Sequence, residues 1–322
     1  CLSGNGALTQ NGTGVVDIGG GNTAISNPFS GTVTINAGTL VGDGGNTGYG
    51  ALGNGTTITV NNGGTLVAGA NTNGLIGTAQ SATIILNSGS VLTTSSNSTT
   101  DTLGRLTLNG GTLAGQAALT GNAITYGAWY LTQNVTVTAN STISAAGVTL
   151  HQSGGTNFNI AVGTQLLVNG TLVSSGTGMN LTGPGTMVLT GANNYSGTTT
   201  ISNGTLQVGN GGSTGSLGTG AVVDNANLVF NLSGTTTAPG VISGAGNLSQ
   251  VGTGTTILAA NNTYSGNTTI SAGTLQVGNS GAAGSLGTGA VTDNANLTFN
   301  TTGTTTVNGS IGGTGNLTQA GT

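Results

Sequence analysis

Lysine and glutamate are absent from this 322-residue chain, and its charges are five aspartates (Asp17, Asp43, Asp101, Asp224, Asp293) and one arginine, Arg105. Charged residues make up 2% of the sequence, where about 25% is usual for a soluble domain. With one basic residue and a formal net charge of -4, nucleic-acid binding has no electrostatic footing. The single cysteine excludes a disulfide framework. Cys1 aligns with Val241 and Ser310 of later sequence, so it reads as an ordinary small coil residue, with a lipid-modified terminus or an intermolecular link as the alternative. No apolar run approaches the roughly 18 residues of a transmembrane helix. The start lacks the basic and apolar blocks of a signal peptide, so any export signal is expected upstream.

Low charge with 65 glycines would by itself suggest a disordered, low-complexity chain. Regular placement of aliphatic residues argues for order. Residues 183–251 and 252–320 are two copies of one 69-residue unit, alignable without a gap: Tyr195 meets Tyr264, Leu206 meets Leu275, Asp224 meets Asp293 and Phe230 meets Phe299. A gapless repeat repeats one geometry, as stacked coils do. Short apolar alternations between Gly/Asn corners, such as Val33-Thr34-Ile35 and Val135-Thr136-Val137, read as half-buried strands. A hydrophobic content of 34% is thin for a broad core and sufficient for the narrow one of a solenoid.

Within one copy the pattern predicts strands near 187–190, 198–202, 205–208, 221–224, 227–231 and 247–251. They suggest three coils of roughly 23 residues, hence roughly 14 coils in all at the inter-strand spacing of a sheet. Leu206 and Val208, and Leu228 and Phe230, are expected to point inward. Tyr195 and Tyr264 are expected to cover one recurring corner, three coils apart. The organisation expected is β-helix throughout: a divergent repeat at 1–70, irregular coils at 71–182, full repeats at 183–251 and 252–320, and the start of another at 321–322. The first residues align with the end of a repeat (Leu8 with Leu248, Gln10 with Gln250), so a longer array on both sides is expected.

The motif GxGTxxLxGxNxYSGxTTIxxGTLQVG, clear over 183–320 and looser over 1–70, resembles the autotransporter-associated β-strand repeat of passenger regions in Gram-negative type V secreted proteins. The resemblance implies an all-β, right-handed parallel β-helix displayed outside the outer membrane, in a protein that usually carries a C-terminal translocator barrel.

Catalysis on such a surface needs clustered carboxylates, a basic partner or a metal site, and five scattered aspartates with one arginine supply none of these. Asp224 and Asp293 precede asparagine at strand ends, where an Asx turn explains them. Asp101 and Arg105 could form a local ion pair. His151 lacks the companions of a zinc site, and no glycine motif opens a helix after a strand to hold a nucleotide. No catalytic residue, metal or cofactor is assigned. The one aromatic concentration, Tyr126, Trp129 and Tyr130, with His151 one coil further, reads as an interior plug or as a sugar-binding platform; Trp129, Tyr130 and His151 are the ligand-contact candidates. Thr-rich faces suit ice, but a Thr-x-Thr pair recurring once per coil is not evident. A chargeless surface predicts self-association with identical rods or flanking repeats, with surface polysaccharide as another partner class. The expected function is an extracellular structural solenoid forming a fibre, sheath or surface layer; the alternative is the rod-like stalk of a cell-surface adhesin.

Overall fold

The computed structural model describes residues 4–19, 29–43, 51–52, 55–69, 75, 81–95, 100–115, 118–120, 123–126 and 128–321. Cys1 and Thr322 lie outside them. The described residues form strands and no helix, and two compact units divide the chain, Cys1–Val173 and Ser174–Thr322.

In the first unit, seven parallel strands form one face: Ala7–Gln10, Thr32–Ile35, Thr57–Val60, Thr83–Asn87, Arg105–Asn109, Val135–Ala139 and Thr156–Ile160. Their registers stack like on like. Val33, Ile58, Ile84, Leu106, Val135 and Phe158 form one inward column, and Ile35, Val60, Leu86, Leu108, Val137 and Ile160 another. All twelve are buried. Alternation along a strand sends every second side chain inward, so two aliphatics per strand suffice for a core one or two side chains wide. A second face adds Val15–Gly19, Gly38–Asp43, Gly64–Ala68, Val91–Thr94, Thr112–Leu113, Ser141–Ile143 and Gln165–Val168. The column Leu40, Leu66, Leu92, Leu113, Ile143, Val168 runs through it. A shorter third face stacks Thr100–Leu103, Ala128–Leu131, Gly147–Leu150 and Thr171–Val173. One antiparallel pair, Ala118–Thr120 with Ala123–Tyr126, departs from the parallel scheme.

Asparagines line the end of the first face. The Nδ2 groups of Asn36, Asn61, Asn87 and Asn109 each donate to the Oδ1 of the asparagine one coil earlier, at 2.7–2.9 Å. Each amide thus satisfies its neighbour at a corner where backbone pairing ends.

In the second unit three faces can be followed coil by coil. The first holds Met179–Leu181, Thr199–Ile201, Val222–Asp224 and Ile242–Ser243. The second holds Thr186–Leu189, Thr205–Val208, Asn227–Phe230, Asn247–Gln250, Thr268–Ile270, Val291–Asp293 and Ile311–Gly312. The third holds Thr235–Ala238, Thr255–Leu258, Thr274–Gly281, Asn296–Thr301 and Asn316–Gln319. Seven stacked strands on the longest face of each unit agree with the expected number of coils. Leu206, Val208, Leu228 and Phe230 point inward as expected.

The expectation of three coils per repeat needs correction. Strand Thr186–Leu189 lies on the second face, but its counterpart in the next copy, Thr255–Leu258, lies on the third. Likewise Thr199–Ile201 on the first face corresponds to Thr268–Ile270 on the second. Three coils from Thr186, through Thr205 and Asn227, end at Asn247, still inside the first copy. The stretch from there to Thr255, the position that repeats Thr186, carries the chain one face further. Each repeat therefore advances three coils and one third, and successive copies are turned by one face. Asp224 and Asp293 consequently sit on different faces. Tyr195 and Tyr264 share no corner either: both are fully buried inside the coils, each phenol bonded to a threonine hydroxyl, Thr199 at 2.8 Å and Thr268 at 2.7 Å.

This phase is open to a direct check. Ser249 and Thr269 are register partners on the second face, roughly 4.8 Å apart as neighbouring strands are and so within disulfide reach. In a Cys1→Ser background, Ser249→Cys with Thr269→Cys should oxidise to an internal disulfide. Ser243→Cys with Thr269→Cys, the pair that three whole coils per repeat would stack, should stay reduced. The opposite pattern on non-reducing peptide mapping contradicts the turned repeat.

Candidate functional site

The surface chemistry of the first unit converges at the corner between its third and first faces. Ala128–Leu131 pairs with Gly147–Leu150, so Trp129 meets Val148 and Tyr130 meets Thr149. Trp129 points inward, is fully buried, and donates its indole N–H to the carbonyl of Ala114 at 2.6 Å. Such a ring fills the coil and offers no face to a ligand. The two remaining candidates come together. His151 follows the strand above, its amide bonded to the Leu131 carbonyl at 2.9 Å, and its ring meets Tyr130 edge to face at 5.5 Å between centroids and 79° between planes. Tyr130 is half-buried and His151 exposed. The side chain of Tyr126 lies outside the described residues.

One residue beyond His151 a groove of about 570 Å³ opens, lined by Gln133, Gln152, Asn134, Arg105, Leu106 and the threonines 83, 107 and 136. Sequence reasoning passed over it, because register alone brings these residues together. Arg105 heads a strand and is paired with Thr83 on the coil before, while the Leu106 amide reaches the Asn134 carbonyl on the coil after, at 3.4 Å. The coil from Leu106 to its partner Val135 is longer than the one before it, Ile84 to Leu106, and the one after it, Val135 to Phe158. The register also shifts there, at Leu108/Asn109. A longer coil pushes its corner outward and leaves a concavity beside it. The available signal was the lone arginine of the chain at a strand start.

The expected Asp101–Arg105 pair does not form. Asp101 is turned into the coil and fully buried, one oxygen accepting from the Leu75 amide at 3.3 Å, whereas Arg105 is exposed. Asp224 and Asp293 do cap Asx turns, each accepting from the amide two residues on, Ala226 and Ala295, at 3.0 Å. Burial pushes the Asp224 carboxyl from 3.8 up to about 6, against the lowering effect of the Ala226 N–H. Stacked Thr-x-Thr pairs exist after all, Thr32/Thr34 over Thr57/Thr59, but the rows break at Ile85 and Arg105. No group of three or more His, Cys, Asp or Glu side chains able to hold a metal occurs among the described residues. Among the described residues no helix is long and apolar enough to cross a membrane.

Known proteins match this chain in sequence. The passenger-associated-transport-repeat family model matches residues 8–41, 180–208 and 248–277. An alignment of 168 residues, covering 46% of this chain, is 38% identical to the adhesin BmaC autotransporter of Brucella suis biovar 1 (strain 1330). The chain spans 5% of that protein's length. No solved structure matches it.

Proposed function

Because the chain is built of autotransporter-passenger repeats folded as a β-solenoid, we propose that it is a length of passenger stalk on the outer face of a Gram-negative cell, serving reach and endurance and carrying out no catalysis. One observation carries this reading. The two 69-residue copies join through the same parallel ladder that runs inside each of them, Gln250 pairing with Ile270 across the junction just as Ile201 pairs with Asp224 within a copy. Copies can therefore be added with no new interface, and each adds only length. A surface almost without charge suits exposure outside the cell, since it has few groups to titrate or screen and offers trypsin only Arg105.

Inserting three further copies into the full-length surface protein should extend its reach by ten coils, about 48 Å at the inter-strand spacing. Electron microscopy of cells displaying both forms measures this, and an unchanged reach refutes the stalk. The fibre or sheath reading draws on the missing charge repulsion that ordinarily keeps proteins apart. Sedimentation at rising concentration separates the two: reversible growth of large assemblies supports the fibre, and an unchanging monomer supports the stalk.

A further inference from the structure

We propose that the groove around Arg105 binds an acidic saccharide, its carboxylate or sulfate held by the guanidinium and its hydroxyls by the amides and hydroxyls of the neighbouring coils. Arg105 is the one cation other than a terminus in 322 residues that carries a fixed charge. It is exposed, and among the described residues its guanidinium forms no ion pair. A structural arginine on a coil surface would be expected to cover apolar area or pair with a carboxylate. This one has no acidic partner among the described residues, and stands in a concavity lined, besides Leu106, by threonine, asparagine and glutamine.

The walls are fixed before any ligand arrives. Asn134 Oδ1 accepts from both Gln152 Nε2, at 2.9 Å, and Asn157 Nδ2, at 3.0 Å, while Gln152 Oε1 accepts from the Asn157 amide at 3.2 Å. That network uses the oxygen of Asn134 and leaves its NH₂ without a protein partner among the described residues. Thr107 and Thr136 are register partners, so their spacing is the roughly 4.8 Å of the ladder, while Thr83 stands beside Arg105 on the strand before. A planar guanidinium matches a carboxylate or sulfate through two parallel hydrogen bonds, which a lysine ammonium does not reproduce. The amides and hydroxyls both donate and accept, as sugar hydroxyls require. A single cation excludes a polyanion read by charge density, and so selects a ligand with one well-placed acidic group among many hydroxyls. Tyr130 and His151, at the same corner, give such a ligand an aromatic border.

The test uses the whole 322-residue chain in titration calorimetry at low salt. The probes are a trigalacturonate, its fully methyl-esterified neutral counterpart, and a monosulfated disaccharide. The trigalacturonate or the sulfated sugar should bind with one-site saturation, and the neutral ester at least tenfold more weakly. Arg105→Gln should weaken the acidic ligand at least tenfold with unchanged thermal stability, and Arg105→Lys should recover only part of the loss. Asn134→Ala should weaken acidic and neutral sugars alike. Absence of saturable binding by either acidic probe, equal binding by Arg105→Gln, or equal affinity for the neutral ester overturns the assignment. None of these outcomes bears on whether the solenoid is a stalk, which the reach measurement decides separately.

Discussion

Replacing Gly289 by valine should cost about 3 kcal/mol or more of stability, at the upper end of overpacking penalties, and open the coils beyond it. Gly246, Gly266, Gly289 and Gly309 stand one above another at a corner of the second unit, and a Cβ on any of the last three would fall on the carbonyl oxygen of the glycine one coil earlier. None of the four needs a left-handed φ; the requirement is space. Relief by backbone movement is blocked on both sides, because the Thr288 amide is tied to the Tyr264 carbonyl at 2.8 Å and the Thr268 amide to the Ala290 carbonyl at 2.9 Å. With no side chain to rotate aside, the clash must break the ladder. Coils of a solenoid are stabilised by their neighbours, so the damage should spread to the end of the array. Gly212, with nothing within 4 Å of an added Cβ, supplies the control. Circular dichroism melts should show Gly212→Val close to wild type and Gly289→Val melting early or in two steps. Equal melts would mean that the corner is looser than the register requires.

The same glycines show how far the sequence could be read. An earlier column, Gly197, Gly220 and Gly240, obeys the same spatial rule, and its members reappear in the next copy as Gly266, Gly289 and Gly309. In the first copy the column stands beside the first face and in the second beside the second face, so it turns with the strands. Alternating aliphatics revealed the strands that have them: 205–208 was placed to the residue, and five others within a residue or two. Thr235–Ala238 and Ile242–Ser243 escaped, the one because it has no large aliphatic residue and the other because it is so short. Missing them left too few segments per repeat, and made three coils of three and a third. The buried tyrosines were misplaced for a related reason, since a polar ring at a Gly/Ser corner reads as surface until its hydroxyl is seen bonded inside the coil.

At the candidate site, composition isolated Arg105 but could not place it. The partner across the groove, Asn134, lies at the far end of a coil longer than its neighbours: the step from Leu106 to Val135 exceeds both that from Thr83 to Arg105 and that from Val135 to Phe158. A fixed coil length would have aligned the wrong residues. The asparagine ladder was closer to legible. Asn36, Asn61, Asn87 and Asn109 each follow the last inward aliphatic position of a strand, directly after Ile35, Val60, Leu86 and Leu108. Only the register, however, brings their amides within bonding distance.

Charge inside the coils should make stability depend on pH, and Asp224→Asn should remove the part of that dependence that Asp224 carries. Asp224 is 1% exposed, with Gly246 of the next coil against its carboxylate and one amide bond, from Ala226 at 3.0 Å, to offset the lost hydration. Its folded pKa of about 6 lies above the unfolded 3.8. Between those values the native state holds a proton that the unfolded state has released, so this group's contribution to stability falls as pH rises from about 4 to about 6, and the full penalty persists above that. The shift corresponds to about 3 kcal/mol at 1.36 kcal/mol per unit, and solvent screening and relaxation around the charge reduce the expected effect to about 2 kcal/mol. Asparagine is neutral throughout and keeps an oxygen for the Ala226 amide. Urea denaturation at pH 4, 5, 6 and 7.5 should show the variant more stable by about 2 kcal/mol at pH 7.5, with the difference shrinking toward pH 4. A variant less stable at pH 7.5 would show that the ionised carboxylate is better supported than its burial implies, and a gap independent of pH would show that the substitution acts by shape and not by charge.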